Sequence, residues 1–416
     1  MPLFSPSAGG VGLAMRPQDL FPRLHKPSHG GDFDSGTNLW CLSHRRAPGF
    51  DPLKKLTDDV EELVAKQDSF RPANAQERRC RIADETTRGS PQDVRKVSED
   101  VHKQLHTILG LIRDLEGDGT ETPTSPKSAS GLDVVEMLEK LIVADLPAQL
   151  LSQLDLLEFD ARTDVMNVCS ALLRPDMPDR IKKQFVEYLR RHTTAFAVLV
   201  KGYSSEETAL HYGVVLRSCA KHRALTEKFL ASGLVPELLK HASHPSIDIS
   251  SDAFYTLRMM LLEHKDLSAP WLERNYSDFF SSYNTLLQSG DYISQRQAQK
   301  LLTDMLLDKV FGKVMLEYVS SEQNLQIHMI LLKDRSKVMQ VGAFQVFKIF
   351  VANPAKPAAV QKILYRNREK LVAVLGSLST AKPEDEKLCQ ELRVVADRLN
   401  ALPPPGASPT NSKLAL

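Results

Sequence analysis

A spacing of 45 residues constrains this chain more than any other feature. Ala253, Ala298 and Ala343 each sit inside a strongly apolar segment and stand 45 residues apart. Leu257, Leu302 and Phe347 lie four residues after each alanine, and Leu261, Leu306 and Val351 lie eight after. Residues four apart share one face of a helix, so a small residue followed by large apolar ones at these steps is a buried stripe, with the small residue at the closest approach. Gly213 and Cys169 extend the series backwards, which gives intervals of 44, 40, 45 and 45. A helical unit that recurs every 40–47 residues or so is the pattern of armadillo and HEAT solenoids. The spacing predicts an all-α chain, an armadillo/HEAT-like right-handed helical-repeat solenoid with a disordered N-terminal extension, of the kind that holds other proteins on an extended surface.

Composition narrows the function. A formal charge of +1 over 416 residues lacks the global field of a dedicated nucleic-acid binder. The five cysteines (Cys41, Cys80, Cys169, Cys219, Cys389) are scattered, and no pair has metal-site or redox spacing, which predicts free thiols in a reducing cytoplasm. No apolar run approaches the ~18 residues of a membrane-spanning helix. The N-terminus has no hydrophobic signal core, and Asp19, Asp32 and Asp34 argue against a transit peptide.

Residues 1–50 are rich in Gly, Pro, Ser and His, show no period, and are expected to be disordered. Gly9-Gly10-Val11-Gly12 has no strand before it and no helix after it, so it reads as flexible chain and not as a phosphate loop. Asp51-Pro52 and Ser90-Pro91 are helix starts, with a capping residue followed by proline at the first helical position. They open N-terminal helices over 51–116, interrupted by a polar, Arg-rich insert at 69–89. A linker is expected at 117–131, the repeat domain at 132–402, and a disordered tail at 403–416.

Catalytic and metal-binding readings find little support. Cys219 and His222 lie three apart on one helix face, but nothing supplies an orienting group or an oxyanion donor, so a structural cysteine is expected. His241 and His244 make two ligands at most, which is not a metal site. The stretch from Asp114 to Asp118 lacks the ligand pattern and distal glutamate of a calcium loop. No cofactor and no enzymatic activity are expected.

Several blocks carry a family likeness: LVKGY at 199–203, SIDISSDAF at 246–254, LLD at 306–308 and above all AFQVFKIFVANP at 343–354. Together they resemble the mouse-protein-25 family, also called calcium-binding protein 39, from about residue 132 to 400 and more weakly over 52–66 and 91–115. The resemblance implies a non-catalytic scaffold that binds a sterile-20-type protein kinase or the related pseudokinase and holds the kinase in its closed, active form. It implies two surfaces, a concave face for the kinase domain and a pocket for a partner tail of Trp-x-Phe type.

Carried over by position, Tyr292 and Arg296 match the family on the concave face. Lys309 stands where the family has arginine, which keeps the charge and loses the planar five-donor fork. Gly312 stands where the family has an interface phenylalanine. Phe311 is adjacent and replaces that ring only if the backbone shifts, because one residue turns a helix by about 100°. In the tail pocket Met329 matches and suits an aromatic tail, whereas Gln326 replaces a lysine that would attract an acidic group. The expectation is retained kinase-type partners with drifted tail selectivity. No nucleic acid or membrane partner is expected. The alternative is a generic armadillo-type adaptor for cytoskeletal or assembly factors, without kinase activation.

Overall fold

The computed structural model describes residues 52–70, 91–115, 131–192, 194–289 and 291–404. The extension expected at 1–50 lies outside these residues, as does nearly all of the insert at 69–89, the linker at 117–131 and the tail at 403–416. At their edges, residues 69 and 70 still belong to a helix, and Gly131 already opens the next one. Among the described residues every regular element is helical.

Two helices come first, α1 (Pro52–Phe70) and α2 (Pro91–Leu115), each with proline at its first position. Five three-helix units follow. The first is α3 (Gly131–Val143), α4 (Leu146–Ser152) and α5 (Phe159–Ala171); the second is α6 (Asp179–Arg191), α7 (Ala195–Lys201) and α8 (Ala209–Ala220). The third is α9 (Arg223–Ala231), α10 (Val235–His241) and α11 (Ile247–Leu262); the fourth is α12 (Lys265–Arg274), α13 (Tyr276–Ser289) and α14 (Tyr292–Leu306). The fifth is α15 (Gly312–Tyr318), α16 (Glu322–Leu331) and α17 (Lys337–Ala352), and the pair α18 (Ala358–Ala381) and α19 (Glu386–Asn400) closes the series.

The units stack so that equivalent helices form rows. In the third-helix row α5 packs on α2, α8 on α5, α11 on α8, α14 on α11, α17 on α14 and α19 on α17. First helices stack likewise, α3 to α6 to α9 to α12 to α15. Among second helices α4 packs on α1 and α7, α13 on α10 and α16, and α18 on α16. Three helices per unit make this an armadillo-type solenoid, since HEAT units carry two.

The 45-residue series falls on the third-helix row. Cys169, Gly213, Ala253, Ala298 and Ala343 lie in α5, α8, α11, α14 and α17, and all are buried. Their large partners Leu257, Leu302 and Phe347 are fully buried too. Gly213 shows why the position must be small. A Cβ there would meet Asp252 Oδ2 at 1.9 Å and the Tyr203 hydroxyl at 2.5 Å. That space belongs to a buried polar joint between α8 and α11: Arg217 pairs with Asp252 at 2.7 Å, and the Tyr203 hydroxyl donates to the same carboxylate at 2.7 Å.

Polar contacts also repeat at about one unit's separation. Arg162 reaches Glu207, Lys265 reaches Asp308 and Lys348 reaches Glu391, at 3.0, 2.6 and 2.7 Å. Arg258 pairs with Asp304 in the same manner. These contacts fix the lateral register between neighbouring units, which apolar stripes alone leave loose.

Candidate partner-binding site

The site is built on α14, α16 and the turn that leads into α17. Asp291 caps α14 by accepting from the amides of Ile293 at 2.8 Å and Ser294 at 3.1 Å. This cap starts the helix at Tyr292, whose ring is 47% exposed. Arg296 is exposed one turn further on the same side of the helix. Ser321 caps α16 through the Asn324 amide, and Ser336 caps α17 through the Met339 amide. Because Tyr292 and Ser336 stand at the starts of neighbouring third helices, their hydroxyls meet at 3.2 Å.

A groove of about 820 Å³ opens between these elements, lined by Tyr292, Gln326, Met329, Ile330, Lys333, Asp334, Arg335 and Ser336. Its apolar floor comes from Met329, which packs partly into the core, and from Ile330, which is 67% exposed. Two cations against one carboxylate make its rim basic. A second groove of about 640 Å³ lies on the other side of Gln326, between α16 and α18, and is lined by Glu322, Lys362, Ile363, Arg366 and neighbours. Here too two cations face one carboxylate. Gln326 itself is exposed and borders both.

The helix between the grooves is held from beneath by a polar joint. The Asn284 amide donates to Asn324 Oδ1 at 2.8 Å, and the Asn324 amide donates to the Tyr318 carbonyl at 3.0 Å. The Tyr318 hydroxyl is 3.0 Å from His328 Nε2. His328 is fully buried on the inner face of α16, and desolvation pushes its pKa down to about 3. The imidazole is therefore neutral at physiological pH and serves as packing and hydrogen-bonding group.

The first groove brings together three of the residues singled out from sequence, Tyr292, Gln326 and Met329. Arg296 continues from its edge. Lys309 is exposed, but it stands in the 3₁₀ turn Lys309–Phe311 past the far end of α14 and does not line the groove. Phe311 is corrected by the structure. Its side chain is fully buried, so the ring belongs to the core and presents no surface to a partner. The backbone shift that would have turned it outward has not occurred. At Gly312, in contrast, a Cβ would meet no atom within 4 Å, so that position faces open space.

Sequence reasoning missed Ile330, Lys333, Arg335, Lys362 and Arg366. The signal for Ile330 was present: it is a large apolar residue off the buried stripe of its helix. Lys333 and Arg335 lie in the turn after α16, and Lys362 and Arg366 stand one turn apart on α18, but nothing in local pattern brings the two pairs to either side of Gln326.

The other clusters considered carry no chemistry. Cys219 is fully buried and its thiol pKa is pushed up by desolvation, while His222 Nε2 is bonded to the Leu173 carbonyl at 2.7 Å. Burial likewise pushes the Cys169 thiol up to about 12. Among the described residues no three His, Cys, Asp or Glu side chains converge in a way that would hold a metal ion, and no helix is long and apolar enough to cross a membrane.

Comparison with known proteins places this architecture. A family profile described as Mo25-like matches residues 63–403. The chain belongs to the Mo25-like family. Calcium-binding protein 39-like from Mus musculus and from Homo sapiens is 34% identical over 307 residues, covering 74% of this chain and 88% of each relative. The Mo25-like protein of Schizosaccharomyces pombe is 38% identical over 269 residues, covering 65% of this chain and 81% of its own. Among solved structures, a computationally designed armadillo repeat protein for modular peptide recognition is similar with a TM-score of 0.38 at 14% identity, over 62% of this chain and 98% of that one. Within this Mo25-like chain, both grooves lie in the segment that the profile matches.

Proposed function

We propose that the chain is a non-catalytic, cytoplasmic scaffold that binds a sterile-20-type serine/threonine kinase or related pseudokinase and activates it by binding. The observation that carries this reading is the groove in which Tyr292, Met329 and the exposed Ile330 share one apolar floor under a basic rim. Such a floor suits one or two aromatic side chains, and a thioether adds favourable sulfur–ring contact. Lys333, Arg335, Lys362 and Arg366 supply, from both sides, the positive charge that Gln326 lacks. A tail of Trp-x-Phe type with an acidic residue or a terminal carboxylate fits this chemistry.

Activation follows as a population shift. A face that fits only the closed kinase stabilises that conformer by its differential affinity, and each 1.4 kcal/mol or so shifts the equilibrium tenfold. Tyr292 and Arg296 are the contacts proposed for the kinase domain, with Lys309 as an outlying charge. Tail capture adds a second contact on the same partner and raises its effective concentration at the first. Phe311 takes no part. No cofactor is required for either step.

The test measures binding of a Trp-x-Phe-ended peptide and activation of a cognate kinase. Met329→Ala is expected to weaken the peptide by about thirtyfold, or about 2 kcal/mol. Arg296→Ala is expected to leave the peptide bound and to reduce activation. Unchanged peptide affinity in the Met329 variant removes the pocket from the proposal. Peptide capture with no change in kinase activity leaves only the generic adaptor.

A further inference from the structure

We propose that His102 and His106 on α2 form a two-imidazole site for a late first-row divalent metal ion, Zn2+ or Cu2+, with the first ring oriented by the buried carboxylate of Asp164 on α5. The site stands at the joint between α2 and α5 and does not rest on the groove or the kinase reading.

Helical spacing puts both rings on one face. Residues four apart on a helix are neighbours, and two histidines at that step can share one ion. The centroids of the His102 and His106 rings are 5.7 Å apart, with their planes at 46°. A ligating nitrogen lies about 2.0–2.1 Å from zinc, so two imidazoles on one tetrahedral ion have centres about 5 Å apart. A small side-chain rotation of His106, which is exposed, closes the difference.

Asp164 prepares the first ring. His102 Nδ1 lies 2.8 Å from Asp164 Oδ2. An ionised carboxylate only accepts, so Nδ1 carries the hydrogen of the neutral imidazole and Nε2 keeps the lone pair that a metal requires. The His102 side chain is 38% exposed and that of Asp164 only 10%, so the carboxylate is covered while the imidazole stays within reach of solvent. A carboxylate behind a histidine in this way fixes the ring and raises its basicity as a ligand. Burial raises the Asp164 carboxyl above its ordinary range, although His102 and His106 oppose the shift. The carboxylate is therefore short of positive charge, and a cation on the ring supplies it. Neighbouring charges agree. Asp160, exposed one turn before Asp164, adds a negative charge, whereas Lys55 and Lys103 are both paired with Asp100.

His241 and His244 lack these features. His241 is buried and stacks on Tyr203, and His244 Nδ1 already accepts from the Ser246 amide at 3.1 Å. At His102 and His106 water completes the coordination shell. Imidazole donors suit zinc and copper and not magnesium, and copper binds them more tightly than zinc. An ion held by the native chain alone stabilises it by mass action, so the site strengthens the seating of α2 on α5.

The experiment titrates the untagged full chain with Zn2+ by calorimetry and follows its melt by circular dichroism. Zn2+ is expected to bind and to raise the melting temperature. Cu2+ is expected to bind more tightly than Zn2+, and Mg2+ not at all. His106→Ala, at an exposed position, is expected to leave the metal-free melt unchanged. It should lose about tenfold or more in Zn2+ affinity, since a lost ligand costs at least as much as a lost outer-shell partner. Asp164→Asn is expected to lose about 10- to 100-fold. His106→Cys keeps a zinc ligand and is expected to retain binding. With Co2+, the thiolate of that variant should add a near-ultraviolet charge-transfer band beyond any that the wild type shows. No binding of Zn2+ overturns the proposal. Unchanged affinity in His106→Ala also overturns it and gives the ion to other histidines of the chain. Mg2+ bound as tightly as Zn2+ overturns it too and gives the ion to surface carboxylates.

Discussion

Asp252 is the residue through which two repeats are joined. Its carboxylate is nearly buried and holds both Arg217 and Tyr203. Removing one partner of a buried pair leaves the other charge without compensation, so Asp252→Ala is expected to cost about 3–5 kcal/mol. Gly213→Ala places a methyl where that carboxylate sits, and overpacking of this kind costs about 1–3 kcal/mol. Urea unfolding midpoints check both, and an unchanged midpoint in Gly213→Ala would show that the joint yields without cost. His328 gives the chain a pH dependence. Its folded pKa, about 3, lies below the ordinary value of 6.5, so the unfolded chain binds the proton more tightly. Stability is full above 6.5 and falls as pH drops from there toward 3, by roughly 1 kcal/mol per unit. A His328→Gln variant is expected to show a flatter acid limb between pH 6 and pH 4 or so in the same unfolding assay.

At the scale of elements, caps and turns decide what the site presents. The Ser336 hydroxyl both caps α17 and meets Tyr292. Ser336→Ala is expected to cost about 1 kcal/mol of stability, and to weaken a bound tail by freeing the Tyr292 ring. Ser336→Gly, which caps nearly as well, should spare stability yet still weaken the tail; wild-type peptide affinity in both variants removes Tyr292 from the groove's function. Gly312 supplies the converse experiment. Since a side chain there enters open space, Gly312→Phe is expected to leave thermal stability unchanged and to raise affinity for a kinase domain. These two turns also mark the limit of what the sequence makes legible. The third helices were readable because a small residue with large neighbours at four and eight recurs wherever two such helices touch. The turn at Lys309–Phe311 was not, because periodicity says which face a helix buries and not how the chain rotates between helices. A rotation of one residue separates a buried Phe311 from an exposed one. The grooves were half legible: Tyr292, Gln326 and Met329 came from family positions, whereas Lys362 and Arg366 reach Gln326 only through the packing of α18 on α16.

At the scale of the whole molecule, stability is a sum over units and their nearest-neighbour contacts, so the ends must be sealed. The terminal helices meet this need with one-sided patterns. α18 buries Val360, Leu364, Leu371, Leu375 and Leu378, and α19 buries Leu388, Leu392, Val395 and Leu399. Both pack on α17, and α18 also packs on α16, the helix that carries Gln326 and Met329. A chain ending at residue 356 would therefore uncover the surface of α17 that these two helices cover and remove one wall of the second groove. It is expected to elute as an aggregate in size-exclusion chromatography, while the same truncation with the newly exposed apolar residues of α17 changed to polar ones should recover a monomer that no longer binds the tail peptide. Native-state hydrogen exchange of the full chain should follow the same logic, with amides of α8, α11 and α14 protected most and those of α1 and α19 least. Uniform protection from α1 to α19 would instead mean that the units unfold as one, and that the grooves at α16 draw their rigidity from the entire row and not from the repeats on either side.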